Sequence, residues 1–142
     1  MSPDAATLTG AREDGLRATV LIAYGLFLLA LCNGVTAIAG VILLYVKRAD
    51  ARGTPWDSHF RNLITVFWVG LALTAIVIAL ALPVLGALFF ALVHTNGNPP
   101  VEAFTGLFVL GPVAWLAAVV FFVWYLIRTI SGFLRALEGR PY

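Results

Sequence analysis

Charged residues are scarce in this sequence, and their scarcity argues against a soluble globular domain. They make up 11% of the 142 residues, while hydrophobic residues make up 61%. Soluble domains carry about 25% charged and roughly 45–50% apolar residues. A folded chain of this length has too little interior to hide so much apolar surface. The composition therefore predicts a small protein that is embedded in a membrane.

The apolar residues are gathered into three stretches that lack Asp, Glu, His, Lys and Arg altogether. These stretches are residues 18–46, 63–93 and 107–127. A helix rises about 1.5 Å per residue, so roughly 20 apolar residues cross the hydrocarbon core of a bilayer. Each stretch is long enough to cross. Because pumps and proton relays keep ionisable groups inside the membrane, the same absence argues against a pump.

The sequence also lacks the patterns that would indicate catalysis. It has a single cysteine, Cys32, which excludes an internal disulfide. It has no Ser/His/Asp arrangement and no glycine-rich phosphate loop. His59 and His94 flank opposite ends of one apolar stretch, so they cannot share a metal ion within the chain. We therefore predict a protein that is not an enzyme and that has no metal site and no cofactor.

The pattern predicts an all-α integral membrane bundle, with residues 1–11 as a flexible tail and residues 12–142 as a single transmembrane helical domain. The turn dipeptide Asn33-Gly34 interrupts the first apolar stretch. A break there gives four helical segments. The alternative is one continuous crossing and three transmembrane helices, with the first about 43 Å long.

Several further boundaries can be read from local residue preferences. Thr54 and Pro55 are typical of a helix start, so a long helix is expected to begin near Pro55. Pro83 should kink or break that helix. Residues 94–106, with Asn96-Gly97 and Pro99-Pro100, are expected to form a loop.

After the last apolar stretch, an amphipathic C-terminal extension should run to a helix stop at Gly139. Its apolar face is formed by residues that recur at helical spacing. These are Leu126, Ile127, Ile130, Phe133, Leu134 and Leu137.

All nine Lys and Arg residues lie beside the apolar stretches, so they indicate membrane orientation rather than nucleic-acid binding. Both the three-span and the four-segment arrangement place the central loop, residues 47–62, and the C-terminus on the cytoplasmic side. With a hairpin at Asn33-Gly34, the N-terminus joins them and all nine basic residues are cytoplasmic. Charge thus favours the hairpin, whereas the shortness of its two legs favours a single crossing.

The cytoplasmic basic loop and the last helix supply the candidate site, which would bind anionic lipid or a protein partner. Trp56 is expected to anchor the loop at the interface. The candidate residues are Lys47, Arg48, Arg52, Trp56, His59, Arg61, Arg128 and Arg135.

Two groups of residues resemble a family of small bacterial inner-membrane proteins that is classed as a domain of unknown function. They are YVKRADARGT at 45–54 with Trp56, SHFR at 58–61 and FW at 67–68, and then WY at 124–125, Arg128, Gly132 and LEGRP at 137–141. The resemblance covers roughly residues 18–141. The family is distantly similar to the four-helix import-associated protein of the chloroplast inner envelope, which implies a four-helix bundle with both ends on one side.

This chain departs from the family pattern in two places. Asn62 stands where an aromatic residue usually follows SHFR, and residues 94–106 look like an added loop.

Three functional hypotheses follow for a multi-pass protein of the bacterial inner membrane. The first is a non-enzymatic protein whose basic loop binds lipid or a partner. The second is a small oligomeric channel or transporter, for which Asn33 would be the main polar residue of the path. The third is an accessory subunit of a larger membrane complex. The expected partners are membrane lipids and either further copies of the chain or other subunits.

A reporter fused to the N-terminus separates the two topologies. If Asn33-Gly34 is a hairpin tip, the reporter should be active on the cytoplasmic side, because residues 18–46 then leave and return. A reporter that is active only outside the cytoplasm would contradict the hairpin and leave three crossings. A second reporter fused after Tyr142 serves as the control, since both topologies place it in the cytoplasm.

Overall fold

The computed structural model describes residues 3–94 and 101–142, and their regular structure is entirely helical. The four helices are α1 (Pro3–Asn33), α2 (Thr36–Ala51), α3 (Asp57–His94) and α4 (Val101–Leu137). This confirms the prediction of an all-α fold with four helical segments.

Three segments are long and apolar enough to cross a membrane. They are Thr7–Asn33, Asp57–His94 and Gly111–Leu137. The remaining helix, α2, has 16 residues and ends in a charged turn, so it is shorter than a full crossing.

The break between α1 and α2 falls at Asn33-Gly34, as predicted. Gly34 has φ 69°, in the left-handed region that glycine adopts without strain. The side-chain oxygen of Asn33 accepts hydrogen bonds from the backbone nitrogen and the hydroxyl of Thr36, both at 3.2 Å. Asn33 is therefore the last residue of α1, and its side chain is hydrogen-bonded to the first residue of α2.

The first two helices form an antiparallel hairpin. Far from the turn, the guanidinium of Arg12 donates to the carbonyl of Asp50 at 2.8 Å. Closer to the turn, Gly40 of α2 lies against Phe27 of α1. A Cβ atom on Gly40 would lie 2.9 Å from the Phe27 ring. The first apolar stretch is thus two packed helices rather than one continuous helix.

The predicted N-terminal tail is helical from Pro3, whereas α3 starts close to its predicted position. α1 begins at Pro3, so residues 3–11 are helical rather than an irregular tail. α3 begins at Asp57, two residues after Pro55. Thr54 does not cap α3 with its side chain, because its hydroxyl donates to the carbonyl of Ala51 at 2.7 Å. The turn between α2 and α3 uses Gly53 at φ 75°.

Two further boundaries differ from the prediction, at Pro83 and in the last part of the predicted loop. Pro83 lies inside α3, so it does not break the helix, and Pro112 lies inside α4. A proline removes one backbone donor, but the bonds on either side of it persist in a helix of this length. Residues 101–106 belong to α4 instead of a loop. The markers Asn96-Gly97 and Pro99-Pro100 lie outside the described residues.

The chain divides into two compact units. Unit 1 comprises Met1–Trp68 and Tyr125–Tyr142, and unit 2 comprises Val69–Trp124. Every hydrophobic side chain that is buried, among those described, belongs to unit 1. The largest hydrophobic side chains that are fully buried are those of Tyr24, Phe27, Leu44, Phe60 and Leu63. All nine Lys and Arg residues also lie in unit 1.

Unit 2 is apolar and has no buried side chain among its described residues. Within it, α3 and α4 meet where Gly70 faces Phe121. Phe89, Phe108 and Trp115 are each about 70% exposed. Soluble proteins rarely expose a continuous apolar surface of this kind. Unit 2 therefore needs an apolar surrounding.

We predict that Gly40→Ala destabilises the hairpin by about 1–3 kcal/mol, because the new methyl group would overlap the rigid, fully buried Phe27 ring. Unfolding in mild detergent, followed by circular dichroism, measures the change. Gly25→Ala is the matched control, since a Cβ there meets nothing within 4 Å. The control should be neutral or slightly stabilising. Equal stability of the two variants would contradict the tight contact.

Candidate functional site

A buried polar network occupies the centre of unit 1, and the hydroxyl of Tyr24 is its hub. Tyr24 projects from α1, and its oxygen lies 3.1 Å from Nδ1 of His59 on α3. The side-chain nitrogen of Asn62, one turn further along α3, donates to the same oxygen at 3.3 Å. All three residues are buried. One atom therefore links α1 to two turns of α3.

The partners of His59 determine its tautomer. Its Nε2 lies 2.8 Å from the carbonyl oxygen of Arg140, and a carbonyl can only accept, so Nε2 carries a proton. In the neutral ring Nδ1 is then the acceptor, and it takes the hydrogen bond from the Tyr24 hydroxyl. Both ring nitrogens are thus engaged within the protein.

Trp56 and His59 do not lie at a surface, contrary to their predicted roles. Trp56 is 7% exposed and His59 is fully buried, and their ring centres are 5.8 Å apart. The basic loop suggested an interface because its composition is polar, but the turn at Gly53 folds these two rings into unit 1. We therefore assign them to the core rather than to lipid contact.

The segment after α4 folds back onto the start of α3. Gly139 has φ 69°, and the nitrogen of Arg140 donates to the carbonyl of Arg135 at 2.9 Å, which is the pattern of a Schellman helix end. This confirms the predicted stop at Gly139. The nitrogen of Tyr142 then donates to the hydroxyl oxygen of Ser58 at 2.9 Å.

Two of the candidate arginines meet at the ring of Tyr142. The guanidinium carbons of Arg128 and Arg135 lie 5.7 and 5.6 Å from its centre, within the range of cation–π attraction. On another side, the ring of His59 has its centre 6.1 Å away. Tyr142 thereby joins the basic end of α4 to the buried network.

A polar pocket of about 410 Å³ opens between the start of α3 and the end of α4, and we call it the basic pocket. It is lined by Ser58, Arg61, Asn62, Thr65, Arg128 and Tyr142. None of these side chains is acidic, and two are guanidinium groups. The hydroxyls of Ser58 and Thr65 donate to backbone carbonyls of their own helix turn. The side chains that line the pocket therefore carry a net positive charge.

The remaining candidates lie elsewhere in unit 1. Lys47 pairs with Asp50 at 3.6 Å, and both side chains are about half exposed. Arg48 lies over the ring of Tyr45, 5.8 Å from its centre. Arg52 is exposed at the C-terminal end of α2. The structure thus brings Arg61 and Arg128 into one pocket, whose lining does not include these three.

The amphipathic extension packs by its small residues, not by its large ones. Thr129, Gly132 and Ala136 are the buried positions at the end of α4. Four of the six residues on the predicted apolar face are exposed. Phe133, by contrast, packs edge-on against the ring of Tyr24. The exposed four are Ile127, Ile130, Leu134 and Leu137.

Sequence reasoning missed Tyr24, Asn62, Gly132 and Tyr142. A tyrosine inside an apolar stretch, such as Tyr24, gives no local sign of its partners, which lie 35 and 38 positions away. Asn62 did carry a signal, since a polar amide directly before the apolar stretch 63–93 requires hydrogen-bond partners if it is buried.

Among residues 3–94 and 101–142, no group of three or more His, Cys, Asp or Glu side chains is placed to hold a metal ion. Comparison with protein-family models, curated proteins and solved structures found no match to this chain. The resemblance to the bacterial inner-membrane family therefore stays a prediction.

We predict that Gly132→Ala destabilises unit 1 by about 3 kcal/mol. A Cβ atom at this position would overlap the Tyr24 hydroxyl and lie 2.6 Å from its Cζ. The phenol would have to leave the network, which adds lost hydrogen bonds to the steric cost. Thermal unfolding in detergent measures the effect. Gly25→Ala, in α1 of the same unit and with open space around the new methyl group, is the control. A Gly132→Ala protein as stable as this control would show that Tyr24 does not depend on the glycine.

Proposed function

We propose that this chain is a non-catalytic, multi-pass membrane protein that holds anionic lipid headgroups in the basic pocket. One observation carries the proposal. The guanidinium groups of Arg61 and Arg128 line a polar pocket, and none of the six side chains that line it is a carboxylate. Guanidinium groups bind phosphate oxygens through paired, charge-assisted hydrogen bonds.

Residence in a membrane is supported by the three apolar helices and by the exposed apolar surface of unit 2. We propose the bacterial inner membrane, because the motifs around residues 45–68 and 124–141 resemble a family found there. The four exposed apolar residues at the end of α4 provide a further surface for lipid chains beside the pocket.

Contacts within unit 1 support a common side for both termini and the central loop. Arg12 contacts the carbonyl of Asp50, and Arg17 donates to the carbonyl of Leu137 at 2.7 Å. The start of α3 and the C-terminal segment meet through Ser58 and Tyr142. These parts form the polar end of unit 1, and since they hold the basic residues, the positive-inside rule assigns them to the cytoplasm.

A non-catalytic role is supported by the state of the buried network. His59 would be the natural acid–base residue, but both of its ring nitrogens are hydrogen-bonded within the protein. The competing channel hypothesis relied on Asn33 as its main polar group. The Asn33 side chain is engaged with Thr36 at the helix turn, which favours a capping role instead.

Replacement of Arg61 by Gln tests the proposal. A basic residue near an anionic surface contributes about 1 kcal/mol, so the variant should bind phosphatidylglycerol roughly fivefold more weakly. Lys47→Gln is the matched control. It removes the same charge from an exposed residue of unit 1 that is already paired with Asp50, and it should change binding much less. Arg52→Gln tests a second exposed cation outside the pocket.

Binding is measured as the stabilisation of the detergent-solubilised protein by added lipid, with phosphatidylcholine as the neutral reference. Equal losses for Arg61→Gln, Lys47→Gln and Arg52→Gln would indicate diffuse attraction and contradict a pocket. If wild-type protein does not distinguish phosphatidylglycerol from phosphatidylcholine, the lipid proposal is wrong, and a protein partner becomes the better explanation of the basic pocket.

A further inference from the structure

We propose that the hairpin of α1 and α2 enters the bilayer from the cytoplasmic side and turns back inside the hydrocarbon layer. Its exposed apolar face contacts the acyl chains of one leaflet, and neither leg crosses, which leaves α3 and α4 as the crossing helices. This inference rests on the proposed function, of which it needs only the membrane residence. It comes from the turn at Asn33-Gly34, whose backbone N–H groups are paired within the hairpin.

The backbone N–H groups that follow the break between α1 and α2 are paired without help from water. The N–H group of Gly34 donates to the carbonyl of Ala30 at 2.7 Å. That of Val35 donates to the carbonyl of Asn33 at 2.8 Å, and that of Thr36 to the side-chain oxygen of Asn33 at 3.2 Å. The next two N–H groups donate to the carbonyls of Gly34 and Val35 at 3.3 and 3.0 Å. An unpaired N–H group is costly in hydrocarbon, which offers no acceptor, so this turn suits a position inside the lipid layer.

The tip of the hairpin also lacks the residue types that mark a boundary between membrane and water. Residues 25–44 contain no Lys, Arg, Asp, Glu, His, Trp or Tyr. The side chains of Leu29, Val35 and Ile38 are apolar and at least half exposed. Segments that reach water are usually flanked by charged residues and by interfacial Trp or Tyr. A turn that emerged on the far side of the membrane would be expected to carry some of them.

Contacts between α1 and α4 within unit 1 indicate how deep the hairpin can reach. The two helices are antiparallel, since Arg17 bonds to the carbonyl of Leu137 and the carbonyl of Phe27 accepts from the hydroxyl of Tyr125. Tyr125 lies at the polar end of the apolar stretch of α4. Asn33 follows Phe27 by six residues, which is about 9 Å of helix.

A contact with α3 gives a similar depth. The Tyr24 hydroxyl is bonded to Asn62, the last residue before the apolar stretch of α3, and nine residues, about 14 Å of helix, separate Tyr24 from Asn33. Arg61 and Arg128, which flank the two apolar stretches, line one pocket, so α3 and α4 enter the lipid at a common level. Because the hydrocarbon layer is roughly 30 Å thick, both distances end the hairpin before the far side. A tilt of α1 would only shorten its reach.

The native Cys32 tests the depth directly. It is the only cysteine of the sequence, and it is exposed beside the turn. The protein is labelled there with a nitroxide and reconstituted in phosphatidylcholine vesicles. Electron paramagnetic resonance then measures collisions of the label with oxygen and with a water-soluble nickel chelate. We expect access for oxygen but not for nickel, with a ratio that corresponds to a depth of about 9–14 Å.

Two single-cysteine variants in a Cys32→Ser background are the matched controls. Arg52→Cys lies at the exposed end of α2, and Asn98→Cys lies in the sequence between α3 and α4. Both labels should be accessible to nickel. Nickel access at Cys32 equal to that of the two controls would place the turn in water and overturn the inference.

A second measurement needs no spin label. In spheroplasts, a membrane-impermeant maleimide added from outside should modify Asn98→Cys but not Cys32, whereas modification of both would show that the hairpin crosses. These outcomes are separate from the proposed lipid binding, because phosphatidylcholine has no net charge. Loss of selectivity for phosphatidylglycerol would leave the depth of Cys32 unchanged. A protein that does not enter the vesicles at all would overturn both proposals.

Discussion

The packing of α1, α3 and α4 in unit 1 depends on the position of the Tyr24 side chain. Its ring fills the space left by the missing side chain of Gly132 on α4, while its hydroxyl meets His59 and Asn62 of α3. The ring therefore lies in close contact with α4, and the hydroxyl adds directional hydrogen bonds to α3. Buried hydrogen bonds of this kind favour one arrangement of helices over others that bury the same apolar area.

The basic pocket is a consequence of that arrangement. Asn62 donates from its side-chain nitrogen to Tyr24, and its side-chain oxygen is buried without a hydrogen-bond partner among the described residues. Arg128 comes to the pocket because Gly132, one turn further along α4, lets that helix approach Tyr24 of α1, whose hydroxyl is bonded to α3. The packing of the core and the chemistry of the pocket therefore share one side chain.

Much of the fold could be predicted from the sequence because it depends on local properties. The length of the apolar stretches predicts the long helices. The ability of glycine to adopt positive φ predicts the turn at Gly34 and the helix end at Gly139. Burial depends on which distant residues meet, so polar composition alone placed Trp56 and His59 at an interface although they lie in the core. Arg61 and Arg128 could be chosen as basic residues, but their common pocket depends on the pairing of α3 with α4.

The network around Tyr24 also has a consequence for how the chain assembles during its synthesis. The α1–α2 hairpin leaves the ribosome first, and its own contacts include the packing of Phe27 on Gly40. At that moment the Tyr24 hydroxyl has neither His59 nor Asn62 beside it, because α3 has not yet been made. Until α3 is made, the Tyr24 hydroxyl of the nascent hairpin therefore lacks these two partners. The packing around Tyr24 is completed only when α4 brings Gly132 against its ring. A chain stalled before α4 would therefore leave that side of the Tyr24 ring uncovered, where insertion factors or quality-control proteases can bind.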